Sequence, residues 1–148
     1  MFQGPSEINL DIKGRLALPM RYRESLISMG QGALVVTAHP HRCLLLYPKF
    51  SWEPIRQAVM SKSSLDVQTG LLQGLLVGYA DDVVMDGQGR VLLAPALRRF
   101  AGIDRQVMMF GQGNHFKLWS PDNWDKQFAQ IEQLGQQLLP TSLQDLVL

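Results

Sequence analysis

The sequence predicts an α+β fold built from two similar halves. Three observations carry that expectation. The first is a doubled motif. Asp11-Ile12-Lys13-Gly14-Arg15 runs into Leu16-Ala17-Leu18 and Pro19, and Asp86-Gly87-Gln88-Gly89-Arg90 runs into Val91-Leu92-Leu93 and then Pro95. The two copies of D-x-x-G-R lie about half a chain apart. The second is that each copy is followed by the same succession of a short helical pattern, two apolar runs flanking a turn, and a helix containing tryptophan. The third is the composition. The chain has 148 residues, 46% of them apolar and 18% charged. That suits one globular domain with a substantial core and excludes a disordered chain.

The elements follow in order. Glu7 to Leu10 reads as a strand that enters the first motif. Gly14 suits a tight turn needing positive φ, and Leu16 to Leu18 continue as a strand. Pro19 to Ile27 has the composition of a short helix, with proline at its start. Ala33 to Thr37 and Cys43 to Pro48 are strands about a turn at His39-Pro40-His41. Ser51, ahead of Trp52-Glu53-Pro54, reads as the N-cap of a helix. Residues 65–79 place Leu72, Leu75, Leu76 and Tyr79 at helical spacing, weakened by Gly70, Gly74 and Gly78.

The second half repeats the plan. Asp82 to Met85 is the entering strand, and Pro95 to Ala101 the short helix, stopped by Gly102. Val107 to Phe110 and Phe116 to Trp119 are strands about a turn at Gly111-Gln112-Gly113-Asn114, and Ser120 caps a helix that starts at Pro121. The chain thus divides into a first repeat over 1–53, a helical connection over 54–79, a second repeat over 80–126 and a glutamine- and leucine-rich tail over 127–148. That tail reads equally as a docked helix or a frayed end.

Net charge is only +1, but it is unevenly spread. Lys13, Arg15, Arg21 and Arg23 gather about the first motif, whereas Arg90, Arg98 and Arg99 form a smaller group at the second. On this count the first copy is expected to dominate any contact with an anionic polymer. Arg15 and Arg90 are the leading candidates, because a guanidinium at a hairpin tip can fork onto a phosphate or onto guanine O6 and N7. The plainer reading is that Asp11 with Arg15, and Asp86 with Arg90, are ion pairs that close their turns. Both readings hold if the aspartate braces the arginine and leaves donors free.

Other constellations carry less. His39-Pro40-His41 with Cys43 lacks the four-ligand spacing of a structural zinc site, and Cys43 falls in an apolar strand as a reduced thiol. His41 and His115 read as solvent-facing turn residues. Gly111-Gln112-Gly113-Asn114 precedes a strand and not a helix, so it is a turn and not a phosphate loop. Asp81-Asp82 reads as an exposed pair at a strand entrance. Trp52 and Trp124 hold matching positions and read as anchors of the hairpin-to-helix corner. No nucleophile–base pair, metal motif or cofactor motif is present. The first residues lack a basic and apolar leader pattern, and no apolar run is long enough to span a bilayer, so a cytoplasmic location is expected.

Taken together, Met1-Phe2-Gln3-Gly4, Asp11-x-Lys13-Gly14-Arg15-Leu16, Pro19-x-Arg21-Tyr22-Arg23, Cys43-Leu44-Leu45-Leu46-Tyr47-Pro48 with Trp52-Glu53, Asp86-x-x-Gly89-Arg90 and Gly111-Gln112-Gly113-Asn114-x-Phe116-x-Leu118-Trp119 resemble the MraZ family. These are bacterial transcriptional regulators encoded at the head of the division and cell-wall gene cluster. The resemblance runs over nearly the whole chain. It implies an AbrB-like fold present twice, closed into one β-rich unit of pseudo-two-fold symmetry with short flanking helices. It further implies ring-like homo-oligomers, association with the nucleoid, and repression of the chain's own operon through short promoter repeats. Its DNA-binding element maps onto Asp11, Arg15, Asp86 and Arg90, with Lys13 and Arg21 as flanking cations. The chain departs from the family pattern at Gln3 and His115, where many relatives carry basic residues, and over 67–76, which has none here.

The leading expectation is therefore a sequence-specific binder of double-stranded DNA that acts as an oligomer. The alternative is a protein–protein assembly module in which Arg15 and Arg90 are structural and the apolar tail meets a partner. A small hydrolase or ligand-binding barrel would need a convergent polar pocket that the sequence does not display.

Overall fold

A computed structural model describes all residues, Met1 to Leu148. Eight strands and five α-helices follow the repeated plan: β1 (Phe2–Asn9), β2 (Arg15–Ala17), α1 (Met20–Gly30), β3 (Ala33–His39), β4 (Cys43–Pro48), α2 (Lys49–Met60), α3 (Val67–Leu76), β5 (Asp81–Val84), β6 (Arg90–Leu92), α4 (Pro95–Ala101), β7 (Gln106–Gly113), β8 (Phe116–Trp119) and α5 (Pro121–Leu134). The fold is α+β, as expected.

The halves interlock. One six-stranded antiparallel sheet has the order β1-β7-β8-β4-β3-β5, and β2 pairs with β6 in a separate two-stranded ribbon. Exchanging each strand for its counterpart in the other half reverses the sheet order and leaves it otherwise unchanged. The pseudo-two-fold axis passes through two places. One is the central β4–β8 pair, where Leu45 faces Lys117. The other is the ribbon, where Leu16 faces Val91. Each half's entering strand is completed by the other half: β1 pairs with β7, and β5 with β3.

The sequence pattern explains the layering. Along β3 and β4 alternate residues point to opposite faces. Leu34, Val36, Ala38, Leu44 and Leu46 join Phe116, Leu118, Leu16, Leu18, Val91 and Leu93 in the main core. Val35, Leu45 and Tyr47 face the other way, onto Trp52 of α2 and Leu76 and Val77 at the end of α3. Both faces are covered, so these strands read as unbroken apolar runs. The main core therefore lies between the large sheet and the ribbon, and every inward residue of the ribbon (Leu16, Leu18, Val91, Leu93) is fully buried. Leu and Val on the inward face anchor the ribbon and leave its outward face free.

Several boundaries differ from expectation. β1 starts at Phe2, because it pairs along the full length of β7, from Phe2 with Gly113 to Asn9 with Gln106. For the same reason β7 runs on through Gly111-Gln112-Gly113, and the turn is confined to Asn114-His115. Gly111 permits this extension: a Cβ there would lie 2.5 Å from the backbone N of Gln3. Ser51 is not an N-cap. α2 begins at Lys49 with Pro48 in the capping position, and Ser51 lies inside the first turn. Ser120 is a true N-cap, accepting the N–H of Asn123 at 3.1 Å. Past α5, two short 3₁₀ turns, Gly135–Leu138 and Thr141–Leu143, carry the tail, which is exposed throughout. The first half has α3 over its outer sheet face, and no helix follows α5 to match it.

Candidate nucleic-acid interface

Each D-x-x-G-R copy folds into one compact turn, and the chemistry of each position accounts for it. The Asp11 carbonyl accepts the Gly14 N–H at 3.0 Å, and the Asp11 N–H donates to the Arg15 carbonyl at 3.0 Å. Gly14 sits at φ +85° and Gly89 at +76°, where an L side chain is strained. Asp11 Oδ1 accepts the backbone N–H groups of Lys13 and Arg15, both at 2.9 Å, and its Oδ2 accepts Arg15 Nε at 2.6 Å. The second copy repeats this bond for bond. Asp86 Oδ1 takes the N–H groups of Gln88 and Arg90 at 2.9 Å, and Oδ2 takes Arg90 Nε at 2.9 Å.

The aspartates therefore brace the turn and aim the arginine. The hydrogen bond from the Arg15 backbone N–H, helped by one from its side chain, holds the Asp11 carboxyl below the usual carboxylate range in spite of the opposing effect of burial. Asp86 is lowered in the same way by Arg90. Of the guanidinium, each carboxylate engages Nε alone. The two terminal Nη groups of Arg15 and of Arg90 have no partner in the chain and are free to donate in parallel. Both arginine side chains are 29% exposed.

On the ribbon, Arg15, Ala17, Arg90 and Leu92 point outward while Leu16 and Val91 point in. Arg15 pairs with Leu92 and Ala17 with Arg90, so the two arginines stand at opposite ends of one outward face. A two-stranded ribbon is one of the few elements that fit the major groove of B-DNA. The remaining expected site residues are placed differently. Lys13 is exposed at the tip of the first turn. Arg21 does not join the turns. Its Nη2 donates to Ser6 Oγ at 2.8 Å and to the Pro5 carbonyl at 3.3 Å, on edge strand β1.

The basic side chains are also grouped differently in space than in sequence. Arg23 belongs to the first half in sequence but not in space. Its Nε donates to the Leu18 carbonyl at 2.7 Å, and its side chain lies over Gly89, where a Cβ would come 2.2 Å from that Nε. Arg98 mirrors it. Its Nε donates to the Leu93 carbonyl at 3.1 Å, and a Cβ on Gly14 would meet its guanidinium carbon at 2.8 Å. Backbone bonds follow the same crossing: Leu18 N–H to the Gly89 carbonyl at 2.9 Å and Leu93 N–H to the Gly14 carbonyl at 3.0 Å. Each turn thus has one arginine from its own half and one from the other. The glycine of the motif serves twice, for its φ and for the guanidinium that covers it.

His41 is an exposed turn residue, as expected, whereas His115 is not. His115 is half-buried and stacks on Tyr47, with ring centroids 4.7 Å apart. Burial, followed by the charges of Lys117, His41 and His115, pushes His39 down to about 4. Cys43 is fully buried, and that burial pushes its thiol up to about 12. Trp52 is buried as an anchor. Trp124 is only half-buried and packs with Phe110, centroid to centroid 4.4 Å, on the face that lacks a covering helix.

Comparison of the sequence with known proteins matches it to one family. The family model described as "MraZ protein, putative antitoxin-like" matches residues 1–73 and again 76–144, one match for each half. Among curated relatives, the transcriptional regulator MraZ of Methylobacillus flagellatus is 51% identical over 144 residues, covering 97% of each chain. The protein of that name in Azoarcus sp. is 47% identical over 148 residues and all of both chains. That of Nitrosospira multiformis is 54% identical over 127 residues, 86% of each.

Proposed function

The chain belongs to the MraZ family of transcriptional regulators, a non-enzymatic class, and from that premise we propose that it binds double-stranded DNA through the outward face of the β2–β6 ribbon. The observation that carries this reading is the state of Arg15 and Arg90. Each is fixed at Nε by its own aspartate and keeps two terminal donors free on a face anchored to the core. A guanidinium held in that way has little entropy left to lose on forking onto the O6 and N7 of guanine. The assembly-module alternative gives no reason to hold those donors free.

Regulation follows as repression. A protein seated on promoter repeats upstream of its own operon excludes polymerase from them. A net charge of +1 makes one chain a weak non-specific binder, with dissociation constants of about 10⁻⁴–10⁻⁶ M expected from phosphate contacts alone. Binding as a homo-oligomer to several repeats raises that by about 10²–10⁴ through effective concentration, provided the spacings match. The protein then resides on the nucleoid. No helix is long and apolar enough to cross a membrane.

The test is a mobility-shift titration with the duplex upstream of the chain's own gene, against duplexes in which one short repeat is scrambled. The reading predicts a loss larger than one repeat's share of the binding free energy. Equal binding to the native and fully scrambled duplexes would refute it.

A further inference from the structure

Resting on that reading, we infer that Arg23 and Arg98 are the phosphate-contacting cations of the DNA surface, each serving the motif of the opposite half, and that the motif arginines contribute little of the electrostatic attraction. The argument starts from pairing. Arg15 and Arg90 each lie beside a carboxylate, at 2.6 Å and 2.9 Å. Each motif turn therefore carries a guanidinium and its counter-charge together, well suited to directional hydrogen bonding and poorly suited to attracting phosphate. Arg23 and Arg98 have no carboxylate oxygen within 4.0 Å. Asp104 and Arg105 line the same cleft as Arg98, with Asp11 and Ile12, but Asp104 does not pair with it.

Position and orientation complete the case. Each of these arginines spends its Nε on a main-chain carbonyl, Leu18 or Leu93. Neither Nη group of either residue has a partner in the chain. The side chain lies against a buried glycine of the opposite turn, the residue that immediately precedes that turn's motif arginine. The two placements are equivalent under the pseudo-two-fold axis, and they arise from two separate stretches of sequence. Such a symmetric pair of unneutralised cations flanking the ribbon suits the two phosphate strands that border a groove. Phosphate contacts of this kind position a protein without specifying sequence.

The experiment uses the full chain, its upstream duplex and a scrambled duplex, with affinity measured by fluorescence anisotropy between 50 and 200 mM KCl. Each phosphate contact contributes about 0.9 to the slope of log K against log salt. Arg23→Gln and Arg98→Gln are each expected to make the slope shallower by about 0.9 per engaged protomer, and the double variant by about 1.8. The ratio of native to scrambled affinity is expected to stay at the wild-type value. Arg23→Lys and Arg98→Lys lose the Nε bond but keep the charge, and are expected to keep the wild-type slope. They also remain informative if a glutamine variant does not fold.

Two results overturn the inference while leaving DNA binding intact. One is an unchanged slope in the glutamine variants. The other is a lysine variant as shallow as its glutamine counterpart, which would make the arginine a structural brace. A wild-type chain that does not prefer its own upstream duplex would instead refute the DNA-binding reading, and this inference with it.

Discussion

Replacing Gly89 by alanine probes the crossing of the two halves at one atom. Gly89 sits at φ +76°, and a Cβ there would lie 2.2 Å from Arg23 Nε and 2.5 Å from its Cδ. The backbone contribution is that of an L residue forced into the left-handed region, about 1–2 kcal/mol. Arg23 must also move, which breaks its bond to the Leu18 carbonyl at 2.7 Å, worth about 0.5–1.5 kcal/mol. The sum is about 1.5–3.5 kcal/mol, or a fall in Tm of about 3–14 °C for a chain of this size. Gly14→Ala should be milder, since its Cβ would approach only the flexible end of Arg98, at 2.8 Å. Gly87 has open space about it, and Gly87→Ala should stay within about 0.5 kcal/mol of wild type. Thermal and urea melts at one fixed protomer concentration measure all three. In an Arg23→Ala background, Gly89→Ala should retain only its backbone share, leaving a coupling of about 1 kcal/mol. Equal losses in both backgrounds would refute the claim that Gly89 makes room for Arg23.

Three further outcomes follow from the packing. Gly111→Ala places a Cβ 2.5 Å from Gln3 N and 2.8 Å from the Phe2 carbonyl carbon; β1 must shift off β7, at about 1–3 kcal/mol or more, and faster hydrogen exchange in Phe2–Asn9 would report it. His39 is pushed down to about 4 by burial first and by Lys117 next, so the unfolded chain takes up its proton before the folded one does; stability is full above about 6.5 and falls as pH drops toward 4. His39→Asn should flatten part of that decline in melts between pH 7 and 4.5, and an unchanged profile would count against it. Cys43, with its thiol pushed up to about 12, should resist alkylation at pH 8 in the folded chain and react fully in guanidinium; rapid labelling of the native protein would contradict its burial.

How much was legible in the sequence depends on how local each feature is. The doubled D-x-x-G-R announced two-fold symmetry because the aspartate, glycine and arginine make their bonds within five residues, and the turns carry out what the motif encodes. Ser120 was legible as a cap for the same reason. Ser51 was misread because Pro48, three residues earlier, already ends β4 and starts α2. The extension of β7 was hidden because its pairing partner is β1, at the far end of the chain. The charge count misled most. It assigned Arg23 to the first motif because the two are close in sequence, whereas the interlocked sheet carries that arginine to Gly89 and brings Arg98 to Gly14. A repeat whose halves exchange strands also exchanges side chains. The signal that could have revealed this was the match of Arg23 and Arg98 at equivalent places after the two motifs.

Symmetric use of the two copies is the central claim, and one comparison tests it most directly. The preference for the native over the scrambled upstream duplex is measured for wild type, Arg15→Ala and Arg90→Ala under one salt condition. Loss of a forked arginine contact is worth about 1–3 kcal/mol of base discrimination, or about 5- to 150-fold. The account predicts that both variants stay folded and that both lose preference within this range. An Arg90→Ala chain that discriminates as well as wild type, while Arg15→Ala does not, would contradict it.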